Sequence, residues 1–220
     1  MTIDRGSQNT PDPTSGLGLR ERKKQATRDA LVEAALELFA AQGVDDTTVE
    51  QIADRVAVSP RTFHRYFETK DAVLFADTAG RAAQIAAVLD GDDGRRPVLE
   101  VLTDAATALA SMIVADYPRS AQRFRIIEAN DHLRGRFLRV SEEIADLCAA
   151  YVARRLGLDQ GDRLPRLVGT CTVGVIRTAH RRWIVDPALD ITAEVRASFA
   201  LLADLEPALT TGATGRRAHR

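Results

Sequence analysis

The chain has 220 residues, a formal net charge of −1 and two cysteines, Cys148 and Cys171, outside any CxxC spacing. That length allows one large or two smaller domains, and near-neutrality excludes nucleic-acid binding through a whole-molecule field, so any such affinity must come from local patches. The cysteines fit neither a disulfide framework nor a metal cluster and read as buried, reduced thiols in apolar helical surroundings.

Residues 1–18 are polar, with Pro, Ser, Thr and Gly and no apolar stretch of the kind a secretory signal needs. They are expected to be a disordered tail on a cytoplasmic protein. A first helix over about residues 21–42 should bury Leu31, Ala35, Leu38 and Phe39 and stop at Gly43. Its start is basic: Arg20, Arg22, Lys23, Lys24 and Arg28 stand against Glu21 alone. Cations at a helix N-terminus oppose the helix dipole, so an electrostatic partner is the more economical reason for them.

Residues 48–70 read as two short helices separated by a turn. Thr48 is a good N-cap, and Gln51 three residues on can close a capping box. Val49, Ile52, Ala53 and Val56 then recur on one face. After Ala57-Val58, Ser59 is a second N-cap with Pro60 at the first helical position, where its missing N–H costs nothing. Phe63 and Phe67 point back toward a core, and Arg61, Thr62, His64 and Arg65 take the outward positions. A helix that enters a DNA major groove needs this division into a seating stripe and a donor face. Arg bridges guanine O6 and N7; Thr62 and Tyr66 suit phosphate contacts, and Lys70 adds one at the start of the next helix. Residues 55–70 hold Arg55, Arg61, Arg65 and Lys70 against Glu68.

From about residue 26 to 75 the chain resembles the TetR family of transcriptional regulators. The resemblance rests on Ala34-Ala35-Leu36-Glu37-Leu38-Phe39, Gly43, Thr47-Thr48-Val49, Ile52-Ala53, Val58-Ser59-Pro60-Arg61-Thr62-Phe63, Tyr66-Phe67, Lys70-Asp71 and Val73-Leu74. One departure is Ala57, where most relatives carry Gly; if that turn requires positive φ, Ala costs roughly 1 kcal/mol there.

Farther along, helical periodicity persists and no alternating strand pattern appears. Helices are expected over about residues 70–90, 97–116, 120–128, 131–156 (capped by Asn130), 164–185 and 191–205 (capped by Asp190). Gly91-Asp92-Asp93-Gly94, Tyr117-Pro118, Gly157 with Gly161, and Asp186-Pro187 separate them. The apolar window 98–115 contains Glu100 and Asp104, so it reads as a core helix and not as a membrane span. The expected architecture is all-α with about nine helices. A disordered tail over 1–18 precedes a helix-turn-helix domain over 19–68; a ligand-binding and dimerisation domain over 69–209 follows, with a basic disordered tail over 210–220.

Arg123-Phe124-Arg125-Ile126-Ile127-Glu128, Asn130, the arginine- and Phe137-containing run 133–139, and 177–183 mix arginine with large apolar residues. In this respect the chain resembles a TetR subgroup with an acyl-CoA-like ligand domain, which includes regulators linked to the mycofactocin system. The residues expected to face a ligand are Arg123, Phe124, Ile127 and Asn130, with Phe137, Arg177, His180 and Arg181. An apolar pocket would hold an acyl chain while arginine meets phosphate or carboxylate. Another apolar or aromatic effector, or none, fits the same residues if the arginines form a solvated face. His132 and His180 stand without carboxylate or Cys partners at metal spacing, so neither metal nor cofactor is expected.

The resemblance further implies a C2 homodimer in which the last two helices pair with their symmetry mates. On one, Leu167, Cys171, Gly174 and Val175 form the stripe; on the other, Val195, Ser198, Leu202 and Leu205 do. Gly169 and Gly174 would permit close approach. No Gly-rich phosphate loop, HExxH, GxSxG or paired His and carboxylate constellation occurs, so the chain is not read as an enzyme. The expected function is a repressor that binds a palindromic operator as a homodimer and is released by a small-molecule effector. An effector-blind DNA-binding protein is the alternative.

Overall fold

The computed structural model describes residues 18–116 and 118–204. Among these the chain forms nine α-helices and no strand. They are α1 (Leu19–Gln42), α2 (Val49–Arg55), α3 (Pro60–Tyr66), α4 (Thr78–Asp90), α5 (Val98–Ala115), α6 (Arg119–Glu128), α7 (Asp131–Leu156), α8 (Arg163–Val185) and α9 (Ile191–Ala203). The chain divides between Val73 and Leu74 into two compact units. The expected boundary lay at 68/69. The difference has a local cause: Val73 is fully buried, and the Lys70 ammonium donates to the Asp45 and Thr47 carbonyls of the loop before α2.

In the first unit, Leu31, Ala35, Leu36 and Phe39 of α1 are buried, as are Ile52 and Ala53 of α2 and Phe63 of α3. Leu38, expected to be buried, is only half-buried; Leu36 takes the inward position. Each such large side chain contributes roughly 1.5–3 kcal/mol by leaving water, which a unit built on two seven-residue helices needs.

The expected helix over 70–90 is broken. Lys70–Phe75 is a 3₁₀ helix, and α4 begins only at Thr78, whose hydroxyl donates to the Phe75 carbonyl at 2.8 Å. In the second unit, α5, α7, α8 and α9 share a core that includes Leu102, Tyr151, Ile176 and Ile191. The loop 91–94 is pinned to the end of α7. The Tyr151 hydroxyl donates to Asp92 at 2.8 Å, the Arg155 guanidinium pairs with Asp92 at 2.9 Å, and Arg155 also donates to the carbonyls of Gly94 and Arg96.

Gly157 ends α7 in the left-handed region with φ 65°, and the Leu158 N–H returns to the Ala153 carbonyl at 3.0 Å. Asn130 makes no side-chain cap for α7; its amide donates instead to the Ile126 carbonyl of the preceding helix. Asp190 does cap α9, accepting from the N–H groups of Thr192 and Ala193. Gly169 serves packing within the chain: a Cβ there would lie 2.3 Å from the Ala145 carbonyl oxygen of α7. Cys148 is buried in the core, which pushes its thiol pKa up to about 12, and Cys171 is half-buried. Leu205 and the two expected tails, apart from Gly18, lie outside the described residues.

Candidate DNA-reading surface and ligand chamber

In the first unit, two caps set the reading helix. The Thr48 hydroxyl accepts from Gln51 N at 3.2 Å, and the Gln51 side chain accepts from Thr48 N at 2.9 Å, a complete capping box. The Ser59 hydroxyl accepts from Thr62 N at 3.2 Å, with Pro60 at the first helical position. Between them Ala57 has φ 55°, the sole positive value at a non-glycine among the described residues. The turn therefore uses the conformation that favours glycine, and Ala57 carries the strain.

Phe63 has no exposed surface, whereas Arg61, His64 and Arg65 are exposed; Thr62 and Tyr66 are half-buried. The Arg65 guanidinium lies 5.2 Å from the centre of the Tyr66 ring. A shallow concavity is lined by Arg65 and Tyr66 together with Arg20, Glu21, Lys23, Lys24 and Thr27 of α1, so four cations stand there against one carboxylate. The two basic stretches of the sequence thus meet on one surface, where phosphate affinity adds. Two cations expected there have other work. Arg55 pairs with Glu37 at 2.9 Å, and two of the three Lys70 donors are committed to backbone carbonyls. The position of Lys70 suits it to closing the helix-turn-helix more than to meeting phosphate.

In the second unit, a cavity forms among α4, α6, α7 and α8, with α5 contributing Leu109 and Ile113. Of the expected ligand residues, Arg123, Phe124, Ile127, Phe137, Arg177 and His180 line it. Asn130 and Arg181 do not; Asn130 is bonded back to Ile126, and Arg181 is exposed and paired with Glu128 at 3.3 Å. Phe124 packs edge-on against Phe137 at 5.7 Å and against the His180 ring at 4.4 Å. The free volume is about 70 Å³, far below the roughly 300–1,000 Å³ of a typical ligand pocket, so an occupant must widen it.

Sequence reasoning missed Arg81 and Ser120, both of which line this cavity. Arg81 is the lone cation of α4, whose one other charged residue is Asp90 at its end, and that is the signal that could have found it. Burial lowers its pKa, helped by the nearby Arg123 charge and opposed by Asp77 and Asp116. Arg123 is 4% exposed and pairs through Nη1 with Asp77 at 3.0 Å. Burial, with a smaller push from Arg81, lowers the His180 pKa to about 4, so its imidazole is neutral near pH 7.

The stripes expected to form a dimer interface divide. Val175 and Val195 are buried in the chain's own core. Cys171, Ser198 and Leu202 are half-buried. Leu167 on α8 and Leu201 on α9 are 57% and 59% exposed, and a Cβ added at Gly174 would meet no other atom within 4 Å.

Comparison with known proteins agrees along the length of the chain. A family model for bacterial regulatory proteins of the tetR family matches residues 31–76, and a model for an MftR C-terminal domain matches residues 96–207. The HTH-type transcriptional regulator TcmR of Streptomyces glaucescens is 33% identical over 217 residues, which covers 94% of this chain and 96% of that protein. A putative mycofactocin biosynthesis transcriptional regulator, MftR of Mycobacterium tuberculosis, is 29% identical over 178 residues, covering 81% and 90%. Among solved structures, the TetR-family transcriptional repressor FadR of Thermus thermophilus, in complex with lauroyl-CoA, superposes with a TM-score of 0.55 at 26% identity. That match covers 80% of this chain and 93% of that one.

Proposed function

The chain belongs to the TetR family of bacterial transcriptional regulators, and on that premise we propose that it is a cytoplasmic, homodimeric repressor released from a palindromic operator by an apolar, acyl-type effector. The observation that carries the DNA half is the division of α3: Phe63 fully buried, Arg61, His64 and Arg65 exposed. Two such helices, one per protomer and about 34 Å apart, read successive major grooves. The exposed face around Leu167, Gly174 and Leu201 is the surface offered to the second copy. The effector half draws on the likeness to MftR and to lauroyl-CoA-bound FadR, together with an arginine-bearing apolar cavity.

Regulation follows from the small size of that cavity. A ligand that enters must push its walls apart, α4 included. Residues 67–77, including the 3₁₀ segment Lys70–Phe75, connect α3 to α4. A shift of α4 would alter the spacing of the two reading helices. A ligand preferring the shifted state by about 3 kcal/mol lowers operator affinity by a factor of up to about 150.

Gel-shift titration of DNA from the protein's own upstream region, with and without a series of acyl-CoA thioesters and other apolar ligands, tests the reading. Specific binding at fixed salt and release by an apolar compound are the expected results. Specific binding with no release and no thermal stabilisation by any compound would indicate an effector-blind protein instead.

A further inference from the structure

The polar groups of the chamber are more than an apolar ligand requires. Arg123 is held at one corner by Asp77, which binds Nη1, while its Nε and Nη2 are buried without a hydrogen-bond partner. Those two nitrogens lie on the same edge of the guanidinium, and their parallel N–H bonds are the pair that a carboxylate bridges with both oxygens. The Ser120 hydroxyl and His180 Nε2 are likewise buried and unpartnered, and both residues line the same cavity. Arg81 lines the same cavity, close enough to Arg123 for that charge to help lower the Arg81 pKa. The lining contains three arginines, Arg81, Arg123 and Arg177, and no Asp or Glu.

A folded chain that buries an unused guanidinium edge beside a second cation gives up stability at that point, and an anion placed between them recovers it. The rest of the wall, including Ile113, Phe124, Phe137 and Ile144, is hydrocarbon or aromatic. An occupant therefore needs one compact negative charge attached directly to an apolar body.

We propose that the effector is an apolar carboxylic acid bound as its anion. Its carboxylate takes the free Arg123 edge, with Arg81 as second cation and Ser120 as an added donor. Asp77 is then a positioning residue, fixing the guanidinium plane from the corner the ligand does not use. This rests on the reading of the chamber as the effector site and narrows it. An acyl-CoA thioester presents only a neutral carbonyl at the end of its acyl chain, and its phosphates lie far along the pantetheine arm. An alkyl phosphate offers the same kind of charge with a different geometry, so it must be tested separately.

The experiment is calorimetric titration of the full-length wild-type protein near pH 7. The probes are decanoate and 2-naphthoate, the methyl ester of each, decanol, decyl phosphate and decanoyl-CoA. At least one acid should bind no less than about tenfold more tightly than its own ester, and in the Arg123→Gln protein that preference should vanish while the ester's affinity moves by less than about threefold. Ser120→Ala, which removes a single donor, should weaken the acid alone by about fivefold. An ester, decanol, decyl phosphate or decanoyl-CoA that binds as well as the matching acid overturns the proposal and leaves the effector site standing. A preference for the acid that survives Arg123→Gln overturns the assignment of the anion to that edge. Failure of every probe to bind a preparation that still holds its operator overturns this proposal and the apolar-effector reading together.

Discussion

The two units put their polar chemistry in opposite places. In the first, Arg61, His64 and Arg65 are exposed, and Phe63 on the same helix is buried. In the second, Arg123 and His180 are themselves buried, as is the carboxylate of Asp92 under Arg155. A surface that reads DNA needs charges already in water, where they cost nothing to keep and meet phosphate on arrival. A chamber that senses a small molecule needs a low dielectric, where each interaction is strong and each missing partner is expensive. Substitutions should therefore separate binding from stability in the first unit and couple them in the second.

The largest expected effect lies on the exposed side. Arg61→Ala with Arg65→Ala removes two exposed guanidiniums that the proposed reading sets against bases or phosphates in each protomer. At about 1–3 kcal/mol for each good base contact, a dimer should lose about a thousandfold or more in operator affinity. Thermal unfolding should hardly change, because neither side chain supports the core. Unaltered operator affinity would break the comparison at its first term.

The matching experiment in the second unit is Arg155→Ala. Asp92 has 1% of its side chain exposed, and Arg155 is its charge partner. Removing the cation leaves a buried carboxylate with only the Tyr151 hydroxyl, and breaking such pairs costs about 3–5 kcal/mol. Chemical denaturation should show that loss, with DNA contacts untouched at the residue level. A change below about 1 kcal/mol would mean that the network behaves like a solvated surface pair.

How much of this was legible in the sequence follows the same division. The helix-turn-helix is a local object: caps, turn and seating residues fall within residues 48–67, so spacing alone finds them. Even there, spacing could not tell that Lys70 reaches back to Asp45 and Thr47, or that Arg55 finds Glu37 eighteen positions earlier. The chamber is non-local. Arg81, Ser120, Arg123 and His180 come from three helices, and only the fold brings them to one cavity. Arginine among apolar residues pointed to Arg123 and Arg177 but equally to Arg181, which is solvated. Periodicity on α8 and α9 likewise does not separate their two faces, so it groups Val175 and Val195, which serve the chain's own core, with the outward Leu167.

His180 sharpens the comparison through pH. Its folded pKa, about 4, lies below the ordinary imidazole value of 6.5, chiefly because of burial. Between those values the unfolded chain binds a proton that the folded chain refuses. Stability contributed by the neutral ring is therefore fully present above about pH 6.5 and is lost as pH falls toward 4, by about 3 kcal/mol in total. The arginines facing the same cavity are Arg81, Arg123 and Arg177. Urea midpoints at pH 7.5 and 5 should differ in the wild type and differ less in His180→Gln. Equal slopes in the two proteins would place the origin of the acid sensitivity elsewhere.

The smallest effect tests the one strained point of the exposed unit. Ala57 holds φ 55° between α2 and α3, and its side chain is exposed, so glycine there would lose no packing. Ala57→Gly relieves the left-handed penalty of about 1–2 kcal/mol but adds unfolded-state entropy worth about 0.4–1 kcal/mol. The net should be a gain of about 0.5–1 kcal/mol, seen as a rise in the denaturation midpoint. Operator affinity should stay the same or improve slightly, because the turn fixes how α3 is offered and not what it contacts. A loss of stability would mean that the left-handed turn is less costly to alanine here than the backbone angle implies, and the strain argument would fail at the position where it is easiest to measure.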